Sequence, residues 1–102
     1  MRKAIVSKFI KEEIDLRISR AYGLEESTEK FINTTELELY KRLYTLLKSP
    51  RDEIIKTING EVDKRRIEVD KLTKIGNLEK EFLKANAEIV IYKKIYQMLV
   101  GR

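Results

Sequence analysis

Two segments of twelve residues in this chain have similar sequences, and this similarity limits the possible folds more than any other feature. We call them the two copies of the repeated phrase. Residues 36–47 read ELELYKRLYTLL and residues 88–99 read EIVIYKKIYQML, at an offset of 52 positions. Each copy contains a tyrosine, two basic residues, an aliphatic residue and a second tyrosine in that order. Residues four apart lie on one face of a helix. The chain is therefore expected to contain two equivalent amphipathic helices, one in each half.

The similarity between the halves continues outside this phrase, at offsets of 51 to 53 positions, in residues 29–32 with 80–83, Gly23 with Gly76, and 14–16 with 67–69. These segments predict an internally duplicated αα-hairpin in a single domain, with repeat 1 at residues 1–49 and repeat 2 at residues 50–102. Two copies are too few for a solenoid, which needs at least about three repeats. We expect an all-α fold of four main helices, packed with pseudo-twofold symmetry as an antiparallel bundle or a looser array.

This alignment places Glu12 and Arg65 at equivalent positions in the two repeats. Positions related by a twofold axis face each other when they lie near that axis. A partly buried ion pair between Glu12 and Arg65 is therefore one hypothesis. The alternative is that both side chains point into solvent.

Helical periodicity and residues that begin or end helices predict where the four helices lie. The first covers about residues 3–22, with Ile5, Phe9 and Leu16 turned inward and Val6 and Ile10 behind them. Its end at Gly23 is expected to be left-handed, because glycine tolerates that conformation. The second helix covers about residues 28–48 after a cap at Ser27.

The third helix is expected to begin at Pro50, capped by Ser49, and to run to about Lys74. The fourth begins near Leu78 and extends for about six turns. Two candidate breaks are open. One is Asn33–Thr35, where Thr35 and Glu38 fit a capping box. The other is Asn59–Gly60, where the unbroken apolar rhythm on both sides favours a single helix over two.

The residue types exclude several classes of enzyme. The chain contains no cysteine and no histidine. It therefore lacks a thiol nucleophile, a thiolate metal site, and the commonest general base and transition-metal ligand. Adjacent carboxylates, as in Glu12–Glu13, diverge on a helix. We predict that the protein is not an enzyme and holds no cofactor and no metal.

The charges are numerous and mixed in sign. Lysine and arginine number 22 and aspartate and glutamate 17, a net charge of +5. This mixing is typical of solvated, salt-bridged helix surfaces, and enrichment in lysine and glutamate is typical of hyperthermophile proteins. Every uncharged stretch is far shorter than the about 20 residues that a membrane span needs. We therefore expect an intracellular protein with no membrane segment.

The tyrosines of the repeated phrase are the first candidate for a binding site. On each helix they form a ladder along the edge that faces the core. Exposed rings would grip a partner peptide in a groove between the two hairpins. The alternative is that the rings fill the core and only their hydroxyls reach the surface. The predicted protein-binding residues are Tyr40, Tyr44, Tyr92 and Tyr96.

Basic residues of the third and fourth helices are the second candidate, because bases near tyrosines can follow a phosphate backbone. Acidic residues interrupt the same stretch, and the chain has no helix-turn-helix spacing, aromatic sheet motif or glycine-rich loop. A solvated helix face is the alternative interpretation. The predicted nucleic-acid-binding residues are Lys64, Arg66, Lys71, Lys84, Lys93 and Lys94.

The length, the lysine- and glutamate-rich composition and the two diverged helical copies resemble a family of small proteins from filamentous viruses that infect Acidianus, a hyperthermophilic archaeon. The resemblance covers the whole chain and rests on the duplication, not on a catalytic or binding motif. It implies a viral protein in the cytoplasm of an archaeal host, with no assigned activity. No site residue can be transferred, because that family has no motif to match.

These observations favour a non-enzymatic protein–protein interaction module that binds a peptide or helix between its two repeats. The expected partner is a viral or host protein, and a homodimer is compatible with this prediction. The alternatives are a basic accessory protein that binds nucleic acid, and a structural component of the virion with exposed apolar seams.

Overall fold

The chain forms four α-helices and no strand within residues 2–24, 28–76 and 79–101, which are the residues that the computed structural model describes. The helices are α1 (Lys3–Ala21), α2 (Thr28–Leu46), α3 (Arg51–Ile75) and α4 (Glu79–Val100). The predicted all-α fold of four helices is confirmed, and the expected ends that fall on described residues differ from the observed ones by at most two residues.

Neither candidate break interrupts a helix. α2 continues through Asn33–Thr35, where Asn33 and Thr35 are buried. The Asn33 side-chain amide donates a hydrogen bond to the Arg17 carbonyl on α1 at 2.9 Å, so it does not compete for the backbone of its own helix. The capping box predicted at Thr35 is therefore wrong. α3 passes through Asn59–Gly60 as one helix, which confirms the favoured alternative.

Glycines follow the ends of α1 and α3, and one of them adopts the left-handed conformation. Gly76 caps α3 in the left-handed conformation, with φ of 85°, and its N–H donates to the Leu72 carbonyl at 3.0 Å. Gly23 does not have a positive φ. Instead, Tyr22 caps α1 in the right-handed conformation, and the Gly23 N–H donates to the Arg20 carbonyl at 3.0 Å. The left-handed cap predicted at Gly23 is therefore wrong.

The start of α3 lies one residue later than expected. Pro50 occupies the cap position with ψ of 151°, and the helix begins at Arg51 without a side-chain cap hydrogen bond. The carboxylates of Asp52 and Glu53 in the first turn stabilise this end through the helix dipole. The predicted cap at Ser27 and the predicted start at Leu78 lie outside the described residues.

The helices pack as two pairs with α2 and α4 at the centre. α1 packs on α2, α3 packs on α4, and the two pairs meet mainly through α2 and α4. Lys80 of α4 lies over the Phe31 ring of α2, and Arg42 of α2 pairs with Glu88 of α4. These contacts join corresponding parts of α2 and α4, so the two helices run in the same general direction. The described chain measures 42 × 33 × 21 Å, a flattened array with α1 and α3 on its flanks.

One apolar core lies along α2 and α4 and extends to one face each of α1 and α3. Each Å² of apolar surface that this core removes from water stabilises the fold by about 25 cal/mol, and this free energy drives the packing. Its members are Val6, Ile10, Leu39, Tyr40, Leu43, Leu47, Ile54, Ile58, Val62, Ile91, Tyr92, Ile95 and Leu99.

The inner face of α1 differs from the expected one. Val6 and Ile10 are fully buried, whereas Ile5 and Leu16 are exposed. Phe9 is partly buried against the core. Apolar residues occur on every side of α1, so periodicity alone does not determine which side packs. The predicted inward orientation of Ile5 and Leu16 is therefore wrong.

Among the described residues, no helix combines the length and the apolar character that crossing a membrane requires.

Candidate functional site

The first arginine cluster consists of Glu13, Arg17, Glu36 and Tyr40, and it joins α1 to α2. Arg17 Nε lies 3.4 Å from Glu36 Oε1, and its Nη1 pairs with the Glu13 carboxylate. Nη1 also donates to the Glu13 carbonyl at 3.3 Å. The guanidinium carbon lies 4.6 Å from the centroid of the Tyr40 ring. The planar fork of arginine can serve two carboxylates and a ring face together, which lysine cannot.

The second arginine cluster consists of Glu61, Arg65, Glu88 and Tyr92, and it joins α3 to α4 through the same contacts. Arg65 Nε lies 3.1 Å from Glu88 Oε1, and its Nη1 pairs with the Glu61 carboxylate. Nη1 also donates to the Glu61 carbonyl at 3.2 Å. The guanidinium carbon lies 4.9 Å from the centroid of the Tyr92 ring.

Corresponding residues of the two clusters are 48 positions apart on α1 and α3, and 52 positions apart on α2 and α4. In this register Arg17, not Glu12, corresponds to Arg65. Glu12 is exposed, and Arg65 is bonded to Glu61 and Glu88. The hypothesis of an ion pair between Glu12 and Arg65 is therefore wrong. Its alternative is also wrong for Arg65, which does not point into solvent.

The second cluster has an additional partner from the other helix pair. Arg42 Nη2 of α2 lies 3.0 Å from Glu88 Oε2, so the Glu88 carboxylate binds one arginine from each pair. The position 52 residues after Arg42 is Lys94, and its Nζ lies 4.9 Å from the Phe9 ring centroid. The two clusters are therefore alike within each helix pair and differ at the contact between the pairs.

Burial perturbs the titration of three members of these clusters. Burial raises the pKa of Tyr40 and of Tyr92, because it disfavours the charged phenolate, and the positive charges of Arg17 and Arg65 offset only part of this effect. For Arg65, burial alone would lower the pKa, but its hydrogen bonds to Glu61 and Glu88 raise it above its ordinary value. Tyr40 and Tyr92 therefore hold their protons, and Arg65 its charge, more strongly than the same groups do in water.

An open depression lies between α3 and α4, and it is the best candidate for a binding site. Its volume is about 480 Å³. The floor is apolar and the rim is polar, with two cations, one carboxylate and two side-chain amides. We call it the α3–α4 depression. Its lining consists of Ile58, Asn59, Val62, Asp63, Arg66, Lys93, Tyr96 and Gln97.

The charged groups of the α3–α4 depression have no partner within the described chain. Arg66, Lys93 and Asp63 are exposed and form no ion pair with another described residue. One carboxylate faces two cations, so the rim has a net positive charge. The depression can therefore receive an anionic group without displacing an internal salt bridge.

Two further depressions lie between α1 and α2 in the described part of the chain. The α1–α2 depression, about 270 Å³ in volume, is lined by Lys3, Ala4, Ser7, Tyr44, Leu47 and Lys48. The other lies at the end of α1 and the start of α2, and its lining contains Arg20 with Glu29 and Glu36. Glu36 already binds Arg17.

The four predicted tyrosines do not line one groove. Tyr40 and Tyr92 are buried, and each ring lies under the arginine of its cluster. Tyr44 lines the α1–α2 depression, and Tyr96 lines the α3–α4 depression. In each copy of the phrase, the first tyrosine is therefore a core residue and the second borders a surface depression.

The six predicted basic residues are all exposed: Lys64, Arg66, Lys71, Lys84, Lys93 and Lys94. Arg66 and Lys93 share the α3–α4 depression. Although adjacent in sequence, Lys93 and Lys94 diverge, because Lys94 lies over Phe9 of α1.

Sequence reasoning missed Asn59, Asp63 and Gln97, which complete the rim of the α3–α4 depression. The available signal was weak. Asn59 precedes Gly60 and resembles a turn residue, and Gln97 is the only glutamine in the chain. Within the described residues, no group of three or more acidic side chains converges in a way that could hold a metal ion.

A scan against protein-family models and searches of curated proteins and of solved structures find no match to this chain.

Proposed function

We propose that this chain is a non-enzymatic protein–protein interaction module that binds an acidic peptide segment in the α3–α4 depression. The observation that carries the proposal is the position of Tyr96 beside Arg66 and Lys93, two exposed cations without an ion-pair partner among the described residues. Aromatic residues and arginine are enriched where proteins bind one another, because they combine a large contact area with directed hydrogen bonds.

The chemistry of the depression favours an acidic segment with an apolar anchor. Ile58 and Val62 provide an apolar floor, and Tyr96 provides an amphipathic wall. Arg66 and Lys93 attract carboxylates, whereas Asp63 disfavours a partner with carboxylates on every side. A helix or extended strand that carries glutamate or aspartate beside one or two aliphatic residues would satisfy both features.

The proposed docking surface lies within the α3–α4 pair. The sequence instead predicts a groove between the two helix pairs. Tyr40 and Tyr92, the first tyrosines of the two copies of the phrase, are buried under their arginines. A partner could reach these rings only by displacing buried ion pairs, which is expensive. Tyr96 is accessible without such a change.

The proposal includes an internal duplication of a helical hairpin. Two groups of four residues, Glu13–Arg17–Glu36–Tyr40 and Glu61–Arg65–Glu88–Tyr92, support it through identical residue types and contacts. Chance more easily produces two amphipathic helices than two such clusters. The unequal offsets indicate that the second copy contains four more residues between its arginine and its paired glutamate. The greater length of α3 relative to α1 agrees with this insertion.

A selection of displayed random peptides of about twelve residues tests the interaction proposal. We expect enrichment of acidic sequences with aliphatic anchors. Binding of the tightest peptide, followed by fluorescence anisotropy, should weaken at least about tenfold in Arg66→Glu/Lys93→Glu, because two attractions become repulsions. Tyr22→Ala is the matched control, because Tyr22 is 90% exposed and lies outside these depressions. No enrichment, or equal binding by the charge-reversal variant, would contradict the proposal.

Nucleic-acid binding is the second candidate, and it is favoured by the exposure of all six predicted basic side chains. A gel shift with DNA and RNA across a salt series separates it from peptide binding. Phosphate contacts lose about 10³-fold or more in affinity between about 50 and 200 mM salt. Lys64→Glu/Lys84→Glu changes residues outside the α3–α4 depression, so it should weaken nucleic-acid binding and leave peptide binding unchanged.

The proposed setting is the cytoplasm of an archaeal host during viral infection. It follows from the resemblance of sequence and composition described above, and it stays a prediction. It is compatible with a viral or a host protein as the partner.

A further inference from the structure

We infer that the protein binds two acidic segments at once, the second in the α1–α2 depression around Tyr44. The inference rests on the proposed function and extends it to the other helix pair. Tyr44 and Tyr96 occupy the same position in the two copies of the repeated phrase. Each is the tyrosine of its copy that borders a surface depression.

The α1–α2 depression has the chemistry of its counterpart in simpler form. Lys3 and Lys48 provide two cations, and no carboxylate is part of the lining. Ala4 and Leu47 provide apolar surface beside Tyr44, a residue that is 39% exposed. This depression therefore has a net positive charge and an aromatic wall, the two features that favour an acidic segment at Tyr96.

Internal contacts orient this site without neutralising it. The Lys3 ammonium donates to the Ser49 carbonyl, which holds its charge beside the α2–α3 connection. A carbonyl group carries no net charge, so Lys3 still attracts an anion. Lys48 is exposed and forms no ion pair with a described residue. Both cations are therefore available to a carboxylate.

The two depressions are separate sites. They share no lining residue, and they belong to helix pairs that meet through α2 and α4. We expect a segment bound in one to leave the other open. The α1–α2 depression is smaller, at about 270 Å³ against about 480 Å³, and has no side-chain amides in its lining. We expect it to bind the same peptide more weakly.

The third depression lacks the charge that the two proposed binding sites have in common. It also lies between α1 and α2, but Glu29 and Glu36 outnumber Arg20 in its lining. Because Glu36 is paired with Arg17, the remaining Arg20 and Glu29 leave no excess of positive charge that would attract an acidic segment. The inference therefore does not extend to this third depression.

Isothermal titration with the tightest acidic peptide from the selection tests this inference on the full-length protein. We expect two peptides per chain for the unchanged protein, and one for Lys48→Glu. One is also expected for Arg66→Glu/Lys93→Glu, with only the weaker site remaining. The triple variant should bind none. These side chains are exposed and charged, so the substitutions should leave the helical circular dichroism unchanged.

A tandem probe with two copies of the peptide on a flexible linker provides a second measurement. If both sites are occupied at once, the tandem peptide should bind about 100-fold more tightly than the single one. Lys48→Glu should remove this gain but preserve binding of the single peptide. Tyr44→Ala should do the same, because it removes the aromatic wall of the same site.

The outcomes separate the inference from the function on which it rests. A stoichiometry of one that Lys48→Glu and Tyr44→Ala do not alter would overturn the second site and leave the interaction module intact. A stoichiometry of two that Lys48→Glu does not lower would also overturn it. If no peptide is selected, the interaction proposal itself fails.

Discussion

Replacing Glu88 with alanine should destabilise the fold more than the same replacement of Glu36 or of Arg42. The Glu88 side chain is 6% exposed and accepts hydrogen bonds from Arg65 Nε at 3.1 Å and Arg42 Nη2 at 3.0 Å. It is the one carboxylate of the two clusters that binds an arginine from each helix pair. Its loss therefore weakens both the α3–α4 contact and the contact between the pairs.

The expected cost follows from burial. Removing one partner of a buried ion pair costs about 3–5 kcal/mol, because the remaining charge is left buried without compensation. Arg65 keeps its bond to Glu61, so we take the lower end, about 3 kcal/mol. Arg42 is 56% exposed, and its pairing adds at most about 1 kcal/mol after solvent screening.

Glu36→Ala is the matched control, since Glu36 occupies the same position in the first arginine cluster. Its side chain is 24% exposed, and its oxygen lies 3.4 Å from Arg17 Nε, a longer and wetter contact. We expect a cost of about 1 kcal/mol. Arg42→Ala should lower the free energy of unfolding by less than about 1 kcal/mol, because the ion pair that Arg42 forms with Glu88 is largely screened by water.

Urea unfolding at low salt, followed by circular dichroism, measures these differences without screening the ion pairs. With a slope of about 1–1.5 kcal/mol per M, the midpoint should fall by about 2–3 M for Glu88→Ala and by about 1 M or less for Glu36→Ala. Equal shifts for the two variants would refute the argument that burial decides the cost. A shift for Arg42→Ala as large as that for Glu88→Ala would refute the assignment of the main effect to Arg65.

Two further predictions concern glycine conformation and pH. Gly60→Ala should raise the melting temperature by several degrees, since an added Cβ meets no atom within 4 Å and alanine favours a helix interior by about 1 kcal/mol. Gly76→Ala should lower it by a similar amount, because φ of 85° disfavours a side chain. Burial raises the pKa of Tyr40 and of Tyr92 in the folded protein. Their contribution to the free energy of unfolding is therefore complete below the unfolded pKa of about 10. It is lost as the pH rises through the higher pKa values of the folded state. Thermal melts above pH 10 should therefore show a loss of stability that is smaller in Tyr40→Phe/Tyr92→Phe, and an equal loss in that variant would contradict the assignment.

Much of the fold was predictable because the signals that determine it are local. Helix-breaking residues and apolar periodicity gave four helices with ends correct to within about two residues. From the sequence, Asn33 and Asn59 look equally able to break a helix, but their side chains have different surroundings in the folded protein. Asn33 finds a hydrogen-bond partner on α1, whereas Asn59 lies on an exposed face of α3, and neither breaks its helix. Local propensity does not reveal such partners.

The candidate site was predictable only in part, because it depends on which face of each helix packs. Tyr96, Arg66 and Lys93 were named from the sequence, but their common depression follows from the packing of α3 on α4. Glutamate and arginine four residues apart occur in many solvated helices. In isolation, Glu13–Arg17 and Glu61–Arg65 resemble ordinary surface pairs.

The two arginine clusters correspond at an offset of 48 positions on α1 and α3, which differs from the offset that apolar residues predict for the proposed repeats. Apolar matching favoured an offset of 53, yet the buried face of α1 contains Arg17 among aliphatic residues. Hydrophobic patterning treats an arginine as an interruption of the core. Here two carboxylates and the tyrosine ring satisfy its charge and its donors, so it packs as a core residue. If the proposed duplication holds, the matching glutamate–arginine–glutamate–tyrosine sets define the register of α1 against α3 better than apolar periodicity does.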